Sequence, residues 1–210
     1  MKLYISKNLK VSEEEAFLLQ KKLYKKYGTT LFGLMKSYKL NPIEFLDFVH
    51  DINLRKLRKS KELKDNIDLL PGKKMIFTNG DEKWAKKILY ALGISDSIEK
   101  IFDIIKSDYI PKPQKKAYSN MIEMCKVDPK ECIFFEDTKI NLLEAHNFGM
   151  VTIHIDEEFN YEKEYNLEHF VDFKFKSVEF ALKTINKHLK WEREKKNKKS
   201  RKKNRKLLEW

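Results

Sequence analysis

Glu136 and Asp137 follow the apolar run Cys132-Ile133-Phe134-Phe135, so two adjacent carboxylates come straight after a β-type segment. Their mutual repulsion is costly unless a hard cation offsets it. Mg2+ suits such a loop, because it takes one or two carboxylates, waters and a substrate phosphate oxygen. Two further polar segments fit the same chemistry. Ile76-Phe77-Thr78-Asn79-Gly80 reads as a strand ending in a polar turn, with a hydroxyl on Thr78 and backbone N–H groups on Asn79 and Gly80 at the start of a helix. A helix terminus of that kind favours an anion. Lys112 stands between Pro111 and Pro113, which keeps it out of a helix interior and free to neutralise a phosphate and a carboxylate together. Each segment alone has an ordinary reading: a common strand–turn–helix, Asp137 as a helix cap, an exposed loop lysine. In this order the three converge on a site for a phosphate and a divalent cation.

The surrounding pattern predicts how these residues are carried. Residues 1–70 read as helical. Val11–Tyr27 places Phe17, Leu18, Leu19, Leu23, Tyr24 and Tyr27 at roughly helical spacing behind Ser12 and Glu15, a capping box. Gly28 stops that helix, Thr30 is placed to cap the next (Leu31–Lys39), and Asn41-Pro42 opens a third. After Pro71-Gly72 the rhythm changes to short apolar runs alternating with amphipathic helices. Strands are expected at Lys74–Thr78, Ile101–Ile105, Cys132–Phe135 and Met150–Ile155. Helices are expected at Glu82–Leu92, Lys115–Lys126, Ile140–Phe148 and Val178–Lys190. Such alternation predicts βαβ units and a parallel sheet covered on both faces, with ligands beyond the carboxyl ends of the strands. The expected division is a helical segment 1–70, an α/β core 71–190 and a basic tail 191–210.

With 41% hydrophobic residues in 210, the chain has apolar material for a sizeable core, and its composition is not that of a disordered protein. No apolar run approaches a membrane span and the N-terminus is too polar for a signal peptide, so a cytoplasmic protein is expected. Cys125 and Cys132 fit reduced thiols, and neither they nor the scattered histidines suggest a zinc site. The net charge of +12 is concentrated at one end: from Lys187 to Trp210 twelve Lys and Arg face three Glu. The run Lys195–Lys206 can engage nucleic acid or another anionic surface by counterion release. The favoured reading is a solvated helix extension in a sequence rich in Lys and Asn throughout.

The series Phe77-Thr78-Asn79-Gly80, Pro111-Lys112-Pro113 with Tyr118, and Phe135-Glu136-Asp137-Thr138 with Asn141-Leu142 resembles motifs two, three and four of the haloacid dehalogenase (HAD) superfamily. Tyr27–Met35, Glu44–Ile52 and Leu70-Pro71-Gly72 resemble the HAD-type pyrimidine 5′-nucleotidases more narrowly. The resemblance implies an α/β fold, a Rossmann-like parallel sheet with a helical cap. It implies that Thr78, Asn79 and Gly80 hold the transferring phosphate, that Lys112 steadies it, and that Glu136 and Asp137 serve Mg2+. A phosphate ester, in this family a nucleoside monophosphate, is the implied substrate; His50 and Asp51 are candidates for contacting it.

That family begins its core with a strand ending in Asp-x-Asp, which supplies the nucleophile and the acid/base. No Asp-x-Asp occurs in the 210 residues, and Asp47/Asp51 and Asp65/Asp68 have the wrong spacing and lie in helical stretches. By resemblance, the strand that carries it is central, between those leading to Thr78 and Glu136. A fold with this first core strand missing is therefore expected, with two strands lacking ladder partners, in a shortened copy of an enzyme that keeps its pocket and has lost catalysis. The alternative is a non-catalytic binding protein with a phosphate pocket and a nucleic-acid-binding tail. Another HAD chemistry, dehalogenation or phosphomutase action, is disfavoured by the cap resemblance.

Overall fold

The computed structural model describes residues 1–159 and 168–207, with side chains described through Lys195. Four helices come first: α1 (Lys2–Leu9), α2 (Glu13–Tyr27), α3 (Thr30–Tyr38) and α4 (Pro42–Val49). The capping box forms as expected: Ser12 Oγ accepts from Glu15 N at 3.2 Å, and Ser12 N donates to the Glu15 carboxylate at 2.9 Å. The cap of α3 is Thr29, whose hydroxyl accepts from Phe32 N at 3.2 Å; Thr30 is already inside the helix and buried. Asn41 caps α4 by accepting from Ile43 N and Glu44 N, with Pro42 as the first helical residue. Helix α1 was not set apart by the sequence pattern, yet its Tyr4 and Ile5 are buried in the centre of this layer.

The four helices share one apolar cluster of Tyr4, Ile5, Ala16, Leu23, Leu31, Leu34, Phe45 and Leu46. It also takes in Ile104, from the other part of the molecule. Helix α5 (Lys61–Leu69) belongs elsewhere. Its Leu63 and Ile67 pack with Leu89, Ile94 and Leu182, and Asn186 Nδ2 donates to Asn66 O at 2.9 Å. The helical layer over the site is thus α1–α4, while α5 packs on the α/β part although its residues fall within 1–70.

The remaining elements are β1 (Met75–Phe77), α6 (Glu82–Leu92), β2 (Lys100–Phe102), α7 (Lys115–Cys125), β3 (Ile133–Glu136), α8 (Leu142–Asn147), β4 (Val151–Ile155), β5 (Phe173–Phe175) and α9 (Val178–Leu207). The expected order of strands and helices appears, with β5 in addition, a three-residue strand too short to register as periodic. Every strand pairing is parallel, but the strands form two sheets, β1-β2 and β3-β4-β5. No ladder joins β1 to β3 among the described residues. The division falls where the sequence reading leaves out a central strand.

Its mark is visible in burial: all of β1 is half-buried and Ile133 is 47% exposed, whereas parallel strands are normally covered on both faces. What links the two sheets is side chains. Phe77 and Phe134 stand 6.1 Å apart between ring centroids, and Tyr118 of α7 meets Phe77 at 5.2 Å and Phe134 at 6.2 Å. Helix α9 continues through the basic run as far as Leu207. The expected anionic-surface contacts of Lys195–Lys206 lie, beyond Lys195, outside the described side chains.

Candidate functional site

Lys112 sits at the carboxyl ends of both sheets and connects them. Its Nζ donates to Phe77 O at 2.9 Å, at the end of β1, and to the Glu136 carboxylate, at the end of β3. The ammonium lies 5.0 Å from the Phe77 ring centroid and 5.2 Å from that of Phe134. Lys112 is 7% exposed and Glu136 8% exposed, so the pair is buried. An ammonium has three N–H donors. Two are taken here, which leaves one donor for an anion at the mouth of the gap.

The polar turn after β1 is built around the same lysine. The Asn79 side chain accepts from Lys112 N at 2.8 Å and donates to Lys112 O at 3.1 Å, so it clamps the Pro111–Pro113 loop. What Asn79 can offer an anion is its backbone N–H. The Thr78 hydroxyl accepts from Gly80 N at 2.9 Å, and its own proton is left to donate outward. The turn is held against β2 by Thr78 N to Phe102 O at 3.0 Å and Ile104 N to Gly80 O at 3.1 Å. Buried Asp103 fastens the same corner, accepting from Glu82 N and Lys106 N at 2.9 Å each. On the cap side, Gly28 ends α2 with φ of 82°. A Cβ there would lie 3.2 Å from Pro113 Cδ, so the α2–α3 turn approaches the Lys112 loop closely.

The expected carboxylate pair divides its work. Both Glu136 oxygens are engaged, one by Lys112 and the other by Thr138 N at 3.0 Å. Asp137 is exposed and remains the available carboxylate. Its carboxyl is held below the usual carboxylate range by the backbone N–H groups of Asp137 and Thr138 and by the Lys112 charge, against the opposing effect of partial burial. The backbone of this loop is anchored from β4, where His154 Nε2 lies 3.2 Å from Asp137 O. That contact makes Nε2 the protonated nitrogen and leaves the buried Nδ1 without a partner.

The charges at this point are one ammonium and two carboxylates, a net of −1 before any phosphate arrives. A phosphate dianion is unfavourable there unless a divalent cation comes with it. Asp137, with Glu136 beside it, fits the one-or-two-carboxylate ligation Mg2+ accepts. No group of three or more His, Cys, Asp and Glu side chains converges among the described residues, so this would be an open site completed by water and the ligand.

His50, at the end of α4, reaches the phosphate turn from the cap. Its Nδ1 is 2.6 Å from Asp81 Oδ2, and its ring is stacked on Trp84 at 5.0 Å and 2°. Asp81 also caps α6 by accepting from Trp84 N at 2.7 Å. Asp51, the neighbouring candidate, lines the same cavity, together with Leu3, Asp47, Phe48, Asp81, Lys83, Trp84 and Lys87; its volume is about 570 Å³. Sequence reading missed Asp81, Trp84, Asp103 and His154. The signal for Asp81 was present, an aspartate directly before the first helical residue, but an N-cap gives no hint of a second partner 31 residues away.

Gly80 lies beside both Thr78 and His50. A Cβ built on it would lie 3.4 Å from Thr78 Oγ1 and 3.6 Å from His50 Nε2, both ordinary contact distances. Gly80→Ala is therefore expected to leave the thermal midpoint unchanged within error. By filling the space beside Thr78 it is expected to weaken inorganic phosphate binding about tenfold, the worth of roughly one hydrogen bond. Calorimetric titration with phosphate, beside a thermal melt, measures both.

The profile of the haloacid dehalogenase-like hydrolases matches residues 42–149. Phosphate metabolism protein 8 of Saccharomyces cerevisiae is 26% identical over 178 residues, covering 72% of this chain and 53% of that protein. The chain thus spans about half the length of this curated relative. Among solved structures, a HAD phosphatase from Thermococcus onnurineus superposes with a TM-score of 0.58 at 20% identity, covering 90% of this chain and 86% of that one. The HAD-hydrolase YfnB of Bacillus subtilis, bound to magnesium, gives a TM-score of 0.57 at 13% identity over 87% and 88% of the two chains. The L-2-haloacid dehalogenase of Xanthobacter autotrophicus gives 0.54 at 15% over 80% of each. Identities this low establish a shared fold, and phosphatases and dehalogenases both appear among the neighbours. Among the described residues, no helix is long and apolar enough to cross a membrane.

Proposed function

The chain belongs to the haloacid dehalogenase-like hydrolases, and within that family we propose that it carries the phosphate- and Mg2+-binding part of a phosphomonoesterase site for nucleoside monophosphates, of the pyrimidine 5′-nucleotidase kind. The observation that supports this reading is the buried Lys112, held between Phe77 O and Glu136 with one N–H left over, beside the Thr78–Gly80 turn. Lys112 and the Thr78 hydroxyl donate to phosphate oxygens, and the Asn79 side chain keeps Lys112 in place by gripping its backbone. Glu136 keeps the lysine charged and oriented. Asp137, with Glu136 beside it, is the carboxylate that would hold Mg2+, whose contribution is to neutralise phosphate charge. The two free thiols support a reducing, cytoplasmic setting.

Because no Asp-x-Asp occurs in the sequence, these residues bind and orient an ester but supply no aspartate to attack it. Incubating the 210-residue chain with UMP or CMP and Mg2+ is expected to give binding, seen by calorimetry, and no sustained phosphate release. Sustained turnover would overturn the missing nucleophile, and failure to bind phosphate with Mg2+ would overturn the site. A second reading, carried by the basic composition of Lys195–Lys206 alone, is a phosphate-binding protein that contacts RNA with its tail. Salt-sensitive RNA binding lost on deletion of 191–210 would favour it.

A further inference from the structure

Two strand edges in the middle of the α/β part, those of β1 and β3, face one another with no ladder between them among the described residues. Lys112 reaches the Phe77 carbonyl at the end of β1 and the Glu136 carboxylate at the end of β3, so the two strands run in the same sense and end together. Yet they do not run side by side within 8 Å between Cα atoms, whereas paired strands lie about 4.8 Å apart. What crosses from one to the other is side chains: the Lys112 ammonium, and the Phe77 and Phe134 rings at 6.1 Å between centroids. A separation wider than a ladder and still spanned by single side chains has room for one further strand.

The backbone on both sides of this slot is set up for pairing. In a parallel ladder, alternate residues turn their N–H and C=O groups to opposite neighbours. Lys74 O accepts from Glu99 N at 2.9 Å and Thr78 N donates to Phe102 O at 3.0 Å, on the β2 side. That parity turns the backbone groups of Met75 and Phe77 the other way, into the slot. Val151 N donates to Cys132 O at 3.0 Å, so on β3 the residues turned away from β4 are Ile133 and Phe135. The Phe77 carbonyl meets Lys112 there; the other groups have no backbone partner among the described residues, although β1 is half-buried. Both faces of the slot are already covered by apolar groups. Phe77 and Phe134 pack with α7 on one side, and Ile76 and Phe135 pack with α5, α6 and α9 on the other.

We propose that this slot is a docking site for an extended peptide segment of another chain, which adds as one more strand between β1 and β3. Main-chain hydrogen bonds to two edges at once supply the affinity, and the side-chain pattern supplies the selectivity. The occupant is apolar at successive positions, because its side chains meet a covered face on either side, as in any parallel strand packed on both faces. A core of about four or five residues matches the three residues of β1 and four of β3. Proline is excluded from its centre, since each of its N–H groups is needed by one edge or the other. Docking of this kind requires neither phosphate nor Mg2+, and it covers Ile133, which is 47% exposed.

Titration of the full chain with an acetylated and amidated peptide tests it, the peptide having a Val-Ile-Val-Ile-Val core flanked by serines and lysines for solubility. Fluorescence anisotropy and amide hydrogen exchange are the readouts. One-to-one binding is expected, with exchange at Met75, Phe77, Ile133 and Phe135 slowed by about tenfold or more, the worth of roughly one hydrogen bond at each amide. The same peptide N-methylated at alternate residues keeps its apolar surface but loses its donors to one edge. It is expected to bind about tenfold more weakly or worse. Ile133→Pro removes one slot-facing donor at the first residue of β3, a position where a strand tolerates proline, and is expected to weaken binding while the melting transition is retained. Equal binding of the N-methylated peptide, or binding without slower exchange at those four amides, would show mere apolar adhesion and overturn the docking site, as would absence of binding. Slower exchange at the same amides as protein concentration rises, with no peptide present, would make a second copy of the chain the occupant and overturn docking of a separate peptide.

Discussion

Glu136→Leu is expected to destabilise the fold by about 3–5 kcal/mol, because it leaves the Lys112 ammonium buried with only the Phe77 carbonyl to receive it. For a chain of this size each kcal/mol lowers the melting temperature by about 2–4 °C, so the change is large against a typical total stability of about 5–15 kcal/mol. The double variant Lys112→Met/Glu136→Leu removes both charges and fills the space with apolar groups beside Phe77 and Phe134. It is expected to recover most of the lost stability, since replacing a buried ion pair with packed hydrophobic groups is often neutral or better. Phosphate binding is expected to be lost in both variants. Urea unfolding and phosphate titration of the wild type, both singles and the double separate the two roles: stability returns in the double and binding does not. A double variant as unstable as Glu136→Leu would show that the pair itself holds the two sheets together.

Tyr118→Ala is expected to cost about 3–5 kcal/mol, the usual range for removing a large aromatic side chain from a core. Tyr118 is completely buried and touches Phe77 of β1, Phe134 of β3 and Phe148, and its hydroxyl donates to Asn141 O in the loop that follows Asp137. No ladder hydrogen bonds cross from β1 to β3 among the described residues, so this ring carries cohesion that backbone pairing supplies elsewhere. Tyr118→Phe keeps the packing and loses one hydrogen bond, an expected cost of about 1 kcal/mol. Measured by chemical denaturation, a Tyr118→Ala penalty no larger than that of Tyr118→Phe would show that the sheets are held by other contacts.

Much of this was legible along the chain. The helices α2, α4, α6 and α7 announce themselves by apolar spacing and by caps such as Ser12, Asn41 and Gly93, because those signals are local. Thr78, Gly80, Lys112, Glu136 and Asp137 could be singled out because strands that end in polar residues deliver them to one edge of a parallel sheet. Helix α1 and strand β5 are short and weakly periodic, and they are held by the burial of Tyr4 and Ile5 and by pairing with β4, which no local signal reports. The membership of α5 was hidden for the same reason, since its apolar face is indifferent to which neighbour covers it.

Residue types and their order were enough to propose that phosphate and a divalent cation share a site here, and to show that no Asp-x-Asp lies among the 210 residues. Packing set these residues apart from one another. It made Glu136 the counterion of Lys112 and left Asp137 exposed, although two neighbouring carboxylates look equivalent in a string of letters. It engaged the Asn79 side chain as a clamp on the lysine loop and left the Asn79 backbone N–H for an anion. It also brought His50 onto Asp81 and Trp84 from across 31 residues of chain. Periodicity and capping depend on neighbours three or four residues away. The partner of a buried charge depends on how distant elements pack, and for that the folded arrangement is required.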